Sequence, residues 1–196
     1  MSVRNSGYER KANDHYATPS WVTEALIPHL PRLHRAVIWE PSAGNGGMAK
    51  VLRDHLMADV FASDATPAGD RVARHDFLAG EPRFKPDAVI TNPPYGKDAI
   101  RFIRRALDVT EPTRGVVAML LRTQFDHAPL YSEVFARHPA WHKKLMLTRR
   151  IVWFVDPETG KPKAAPSDCH AWFIWDWRHK GPPSIAYGPD GIEQAA

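Results

Sequence analysis

The chain has a single cysteine, Cys169, among 196 residues. One thiol excludes an intramolecular disulfide and fits a reducing cytoplasm, the expected location. No run of 18 or more apolar residues occurs, so no membrane-spanning helix is expected. The opening residues, Met1 to Gly7, lack an apolar signal core. The ten histidines are scattered. His138 and His142 have helical spacing, but Pro139 lies between them and no third ligand is near, so no metal is expected. Neither charge sign dominates: 26 Lys and Arg against 22 Asp and Glu give a net charge of +4 and a pI near 9.3. That mild basicity suits a polyanionic partner without establishing one. Hydrophobic residues make up 43% of the chain, which at this length is one domain with a substantial core.

What is present centres on Thr91-Asn92-Pro93-Pro94-Tyr95-Gly96. It follows the apolar run Ala88-Val89-Ile90, which reads as the end of a buried strand. Neither proline has an N–H to donate, so the sheet ladder ends there. Both have fixed φ, and Pro94 holds Pro93 extended. The product is a stiff loop past a strand's carboxyl end, where α/β sheets place their ligands. Asn92 offers a side-chain oxygen, Pro93 a backbone carbonyl and Tyr95 an aromatic face. Two acceptors beside a flat ring suit an –NH2 group on a planar base. An ordinary surface turn is the alternative.

Residues 1–14 are polar and basic without periodicity, and read as a mobile arm. Thr18 is placed to cap a helix that starts at Pro19 and runs through Trp21, Val22, Ala25 and Leu26, with Pro28 and Pro31 shortening it. Ala36 to Trp39 reads as a strand leading into Glu40-Pro41-Ser42-Ala43-Gly44-Asn45-Gly46-Gly47, and then a helix with Met48, Val51, Leu52 and Leu56 on one face. Strand, glycine turn and helix together bring backbone close to a nucleotide-like ligand. No Lys-Ser or Lys-Thr follows the glycines, which excludes a P-loop. Glu40 would repel a pyrophosphate but accept a bond from a cationic amino group. Val60 to Asp64 is the next strand, and its terminal acid comes 24 positions after Glu40, near the ~20-residue offset of a ribose-binding acid. Asp76 and Phe77 can bond an adenine amino group and cover its ring. Taken singly, each acid reads more readily as a solvated loop charge, but their occurrence in order at successive strand ends weakens that reading.

Asp98 to Leu107 reads as a helix with Ile100, Ile103, Ala106 and Leu107 inward. Val116 to Leu121 reads as a fully buried parallel strand, with Arg122 at its carboxyl end. A short helix is expected over 130–137. Ile151 to Phe154 and Ala171 to Trp177 read as a hairpin, with the polar stretch 156–168 as a mobile loop over the site. Lys143, Lys144, Arg149 and Arg150 interleave with Trp141 and Trp153, a mixture suited to phosphates and stacked bases, or simply to a charged surface. Residues 181–196 read as a loose tail.

These motifs together resemble the class I S-adenosylmethionine-dependent methyltransferases, and among them the adenine-N6 DNA methyltransferases. Tyr16-Ala17-Thr18-Pro19 is similar to the family's aromatic-x-Thr-Pro segment. Glu40 to Gly46 is similar to its acid-Pro-x-x-Gly-x-Gly loop, with Met48 where an aromatic is usual. Asp64 resembles the ribose-binding acid, Asp76-Phe77 the adenine pair and Asn92-Pro93-Pro94-Tyr95 the catalytic tetrapeptide, in gamma order. The resemblance implies a Rossmann-like α/β fold over 15–180: a mostly parallel sheet, helices on both faces and a C-terminal antiparallel hairpin. It implies S-adenosylmethionine as cofactor, held by Tyr16, Thr18, Glu40, Pro41, Ser42, Gly44, Gly46, Asp64, Ala65, Asp76, Phe77 and Asn92. Asn92, Pro93, Pro94 and Tyr95 would be catalytic. Tyr95, Arg122, Lys143, Lys144, Arg149, Arg150, Trp153 and Phe154 would meet DNA carrying a flipped adenine. Asn-Pro-Pro-Tyr also occurs in protein-glutamine and RNA-guanine methyltransferases, and a non-catalytic cofactor binder is a further alternative. Sequence-specific relatives carry a separate recognition domain, whereas about 70 residues follow the shared core here. Low or very short sequence specificity, specificity supplied by the hairpin loop, or a specificity partner would fit that difference, and a homodimer stays open.

Overall fold

The structure, a computed structural model, describes residues 17–127, 129–154, 159 and 168–189. Eight strands form one sheet: β1 Val37–Glu40, β2 Asp59–Asp64, β3 Ala73–Arg74, β4 Ala88–Thr91, β5 Val116–Arg122, β6 Trp141–Leu147, β7 His170–Asp176 and β8 Ser184–Gly188. Their order across the sheet is β3-β2-β1-β4-β5-β7-β6-β8. All neighbouring pairs are parallel except β5 with β7 and β7 with β6. Three α-helices pack on it: α1 Ser20–Leu26, α2 Gly47–Leu56 and α3 Lys97–Thr110.

Side-chain alternation sorts the sheet into two cores. Ile38, Ala88, Ile90, Val116, Ala118, Leu120, Trp172 and Ile174 face α1 and α2. Trp39, Val89, Val117, Met119, Leu121, Phe173 and Trp175 face α3 and the irregular stretch around Val134 and Phe135. The expected α/β architecture with helices on both faces is therefore present. The indole N–H of Trp172 donates to the Val22 carbonyl at 2.8 Å and so fixes α1 to the sheet. Gly115 sits where β5 begins; a Cβ there would lie 2.3 Å from the Asp87 carbonyl oxygen, so the close approach admits only glycine.

Four expectations need correction. The hairpin partner of β7 is β6, not 151–154, which forms no strand. In β6 the charged Lys143-Lys144 pair masks an alternation that packing against both neighbours restores. Residues 184–188 are not tail but strand β8, paired with β6 from Lys143 to Leu147. No α-helix forms over 130–137; short 3-10 turns occupy Phe125–His127 and Pro129–Tyr131, and Phe135 and Val134 anchor the rest into the core. α1 begins at Ser20 with Pro19 at its cap, and the Thr18 hydroxyl makes no cap bond. The proposed arm, most of the proposed loop at 156–168, and 190–196 lie outside the described residues.

Candidate active site

Chain order reverses at β1, which lies between β2 on one side and β4 on the other. In doubly wound sheets such a reversal opens a ligand-binding crevice at the carboxyl ends of the flanking strands, here β1 and β4. Register brings three predicted residues to this edge. Trp39 lies opposite Val89 in β4, and Glu40 lies opposite Ala62 in β2. Glu40 ends β1, Asp64 follows two residues past Ala62 and Asn92 three residues past Val89.

The glycine loop is built from the backbone outward. Gly44 and Gly46 have φ of +53° and +83°, values that an L side chain seldom adopts. The Gly46 N–H donates to the Ala43 carbonyl at 2.7 Å, and the Ala43 N–H to the Ser63 carbonyl at 3.0 Å. The Asp64 carboxylate clamps two loops: it accepts from the Gly44 N–H at 2.9 Å and the Thr66 N–H at 2.8 Å. The following loop folds back, with the Ala68 N–H on the Gly44 carbonyl at 2.9 Å. Ala65 is exposed in that loop, Pro41 is buried and Ser42 is half-buried.

Glu40 is the strongly perturbed acid. It is 2% exposed, and its Oε2 has no hydrogen-bond partner. Burial pushes its carboxyl up to about 8 and Asp64 adds to the rise; the Ala49 amide and the Arg53 charge act against it. A buried carboxyl with an orphan oxygen is a ready partner for a cation.

On the β4 side, the Asn92 Nδ2 donates to the Thr18 hydroxyl at 3.3 Å. Its Oδ1 is buried and has no partner, an acceptor left unsatisfied beside the carboxyl end of β4. Pro93 is buried and Pro94 exposed. Gly96 then takes φ +90° and ψ −137°, a glycine conformation, and starts α3. Tyr95 stacks on His170 with ring centroids 5.9 Å apart, and Trp153 meets the same imidazole edge-on at 5.3 Å.

No protein-family model and no curated protein matches the chain. Solved structures do. One is a protein described as a class I S-adenosylmethionine-dependent methyltransferase from Listeria monocytogenes, with TM-score 0.65 and 16% identity, covering 92% of this chain and 67% of that one. A second is the methyltransferase subunit of a type I restriction-modification system from Streptococcus thermophilus, with TM-score 0.65 and 14% identity over 84% of this chain. The chain spans 45% of that subunit's length. A third is described as an RNA methyltransferase from Pyrococcus horikoshii, with TM-score 0.63 and 15% identity, covering 89% of this chain and 93% of that one. The fold is that of the class I S-adenosylmethionine-dependent methyltransferases.

Against that fold, several predicted site residues stand elsewhere than expected. Tyr16 lies outside the described residues. Asp76 is exposed and accepts from the Leu78 N–H at 2.9 Å, so it stands where a ligand can reach. Phe77 does not: it is 1% exposed, packed T-shaped on Trp39 at 4.8 Å and against Phe102, so its ring serves the core. The four basic residues form no single patch. Lys143 sits within β6, four residues short of its carboxyl end and ~13 Å from the crevice edge. Lys144 projects to the opposite face, where its ammonium lies 2.9 Å from both Asp126 carboxylate oxygens and donates to the Thr123 carbonyl. Its charge is already spent on that pair. Arg149 and Arg150 are exposed beyond the carboxyl end of β6, on the crevice edge, with the Arg149 guanidinium 4.0 Å from the Trp21 ring centre. Phe154 is half-buried in the same stretch. Arg122 pairs with Asp168 at 3.1 Å.

His170 was not foreseen. It opens β7 opposite Arg122 of β5, and no local pattern marks it. The available signal was its position as the first residue of an apolar strand, which starts at the crevice edge because it runs antiparallel to β5. Among the described residues no cluster of His, Cys, Asp and Glu can hold a metal, and no helix is long and apolar enough to cross a membrane.

Proposed function

We propose that the protein transfers a methyl group from S-adenosylmethionine to the exocyclic N6 amine of adenine in DNA, with low sequence specificity of its own. The observation that carries this reading is Asn92: a buried, partnerless Oδ1 on a proline-stiffened turn at the reversal point of this fold.

The residues fit the cofactor. The Glu40 carboxyl suits its cationic amino group, the side-chain-free backbone at Gly44 and Gly46 admits close approach, and the Asp64 carboxylate suits ribose hydroxyls. Asp76 is accessible for the adenine amine. When bound, the cofactor supplies an electrophilic methyl group on a sulfonium.

The chain's own residues do the rest. The lone pair of adenine N6 is delocalised into the ring, so the amine is a poor nucleophile. Asn92 Oδ1 and the Pro93 carbonyl accept its two N–H bonds and favour a more tetrahedral nitrogen with its lone pair forward. The bound sulfonium would supply the methyl group and keep the electrons of its C–S bond, and the extra proton on the acceptor nitrogen would leave to water. Asn92 is no base; its contribution is positioning and electrostatics. Tyr95 stacks on the flipped base. Arg149 and Arg150 serve the backbone phosphates.

A second reading has a specific support: the chain spans 93% of the structure described as an RNA methyltransferase but 45% of the restriction-modification subunit. RNA is therefore the competing acceptor. Incubation with methyl-labelled cofactor and duplex DNA, RNA or a glutamine-containing protein separates the readings. N6-methyladenine in digested DNA is the expected product by mass spectrometry; label confined to RNA or protein overturns the DNA assignment.

A further inference from the structure

His170 is 2% exposed, and its Nδ1 has no hydrogen-bond partner. Two aromatic rings flank it, and the Asp168 backbone bonds to its imidazole. Tyr95 lies nearly parallel to it, with an interplanar angle of 27°, and Trp153 stands across it at 79°. The charged groups near it are Arg122 on β5 and Asp168 two residues before it. Burial pushes its imidazole down to about 4, Asp168 pulls it up and Arg122 adds to the fall, so the ring is neutral at neutral pH.

Tyr95 needs such a neighbour. On its amino side the two prolines fix the backbone, but on its carboxyl side Gly96 is conformationally free. Neither fixes the side-chain torsions that set the ring plane; only a packed surface does. A planar, neutral, buried imidazole supplies that surface, and offset stacking of two rings favours one relative orientation.

We propose that His170 is a positioning residue: its imidazole is the plate that sets the plane of the Tyr95 ring for stacking on the acceptor base, braced edge-on by Trp153. This rests on the base-methylation reading above.

The test is a double-mutant cycle on the full chain with duplex DNA. It compares wild type, His170→Leu, His170→Phe, Tyr95→Ala and the His170→Leu/Tyr95→Ala double variant, with cofactor affinity measured separately by calorimetry. His170→Leu should raise the acceptor KM about fivefold, the scale of one aromatic contact, at unchanged cofactor affinity. His170→Phe keeps a flat neutral ring and should match wild type. In the Tyr95→Ala background, His170→Leu should add nothing, because the plate has nothing to hold. Equal effects of His170→Leu in both backgrounds, or no effect in a variant that binds cofactor normally, overturn the proposal. Should His170→Leu fail to bind cofactor, His170→Phe decides: a wild-type KM supports the plate and a fivefold rise overturns it. A wild type that methylates RNA in place of DNA moves the same cycle to RNA, and one that methylates neither overturns the reading beneath it.

Discussion

The two sides of the crevice are built differently. The β1–β2 side comes from one stretch of chain, 40–68, and its geometry is mostly backbone: two positive-φ glycines, a carboxylate on two amides, and a returning loop. The β4–β5–β7 side comes from five separate stretches, around 18, 92–95, 122, 149–154 and 168–170, and its geometry is side chain on side chain. A site made of backbone tolerates little change but needs few particular residues. A site made of stacked and paired side chains is adjustable residue by residue, as an acceptor pocket must be if the fold is to serve different substrates.

The largest expected break in this contrast is Asn92→Ala. It removes the acceptor on the adjustable side and leaves the glycine side intact. The barrier to methyl transfer should rise by about 3–4 kcal/mol, the scale of a lost preorganised stabiliser, with cofactor affinity nearly constant. Single-turnover kinetics and calorimetry check the two halves separately; retention of full turnover would remove the mechanism.

Asp64→Ala strikes the backbone-built side. The carboxylate holds the Gly44 and Thr66 amides, so the loss should appear twice: cofactor binding weaker by about 1–3 kcal/mol, and a lower unfolding midpoint. An unchanged midpoint with weakened binding would mean that the loop is rigid without its clamp.

One buried titrating group sits on each side, and they act oppositely with pH. Glu40 has its pKa raised from 4.5 to about 8, so its stability contribution is full at low pH and falls as pH rises through that window. His170 has its pKa lowered from 6.5 to about 4, so stability falls as pH drops through that window. Denaturant melts of Glu40→Gln should lose the upper limb of the pH profile, and those of His170→Phe the lower. Cofactor binding at pH 7 should also release a proton from Glu40, visible as a dependence of calorimetric heat on buffer ionisation enthalpy.

The smallest effect concerns the surface. Replacing Arg149 and Arg150 by Ala should each lower the slope of log K against log salt for duplex DNA by about 0.9. Lys144→Ala should leave that slope unchanged, since its charge already serves Asp126. A slope change of equal size for all three would restore the single basic patch.

Much of this was legible beforehand for a local reason. Strand-glycine-helix and strand-Pro-Pro-Tyr are read from neighbouring residues, because φ restriction at Pro93 and Pro94 and φ freedom at Gly44 and Gly46 are properties of those residues themselves. The acids at the ends of β1 and β2 come with their strands. Phe77 misled because an aromatic beside an acid looks the same whether it faces a ligand or, as here, Trp39 and Phe102. Lys144 misled because its partner Asp126 lies 18 residues away across a turn.

What the sequence determined by itself was the set of rigid turns and the alternation of apolar strands, since each depends on torsions and faces within a few residues. Only the tertiary structure decided which strands became neighbours. Residues 141–147 rather than 151–154 pair with β7, and 184–188 joins them. Strand propensity states that a segment will pair, but its partner and register are set by which pairing buries both faces of the finished sheet. That choice alone carried His170 to the crevice edge beside Tyr95, 75 positions away in the chain.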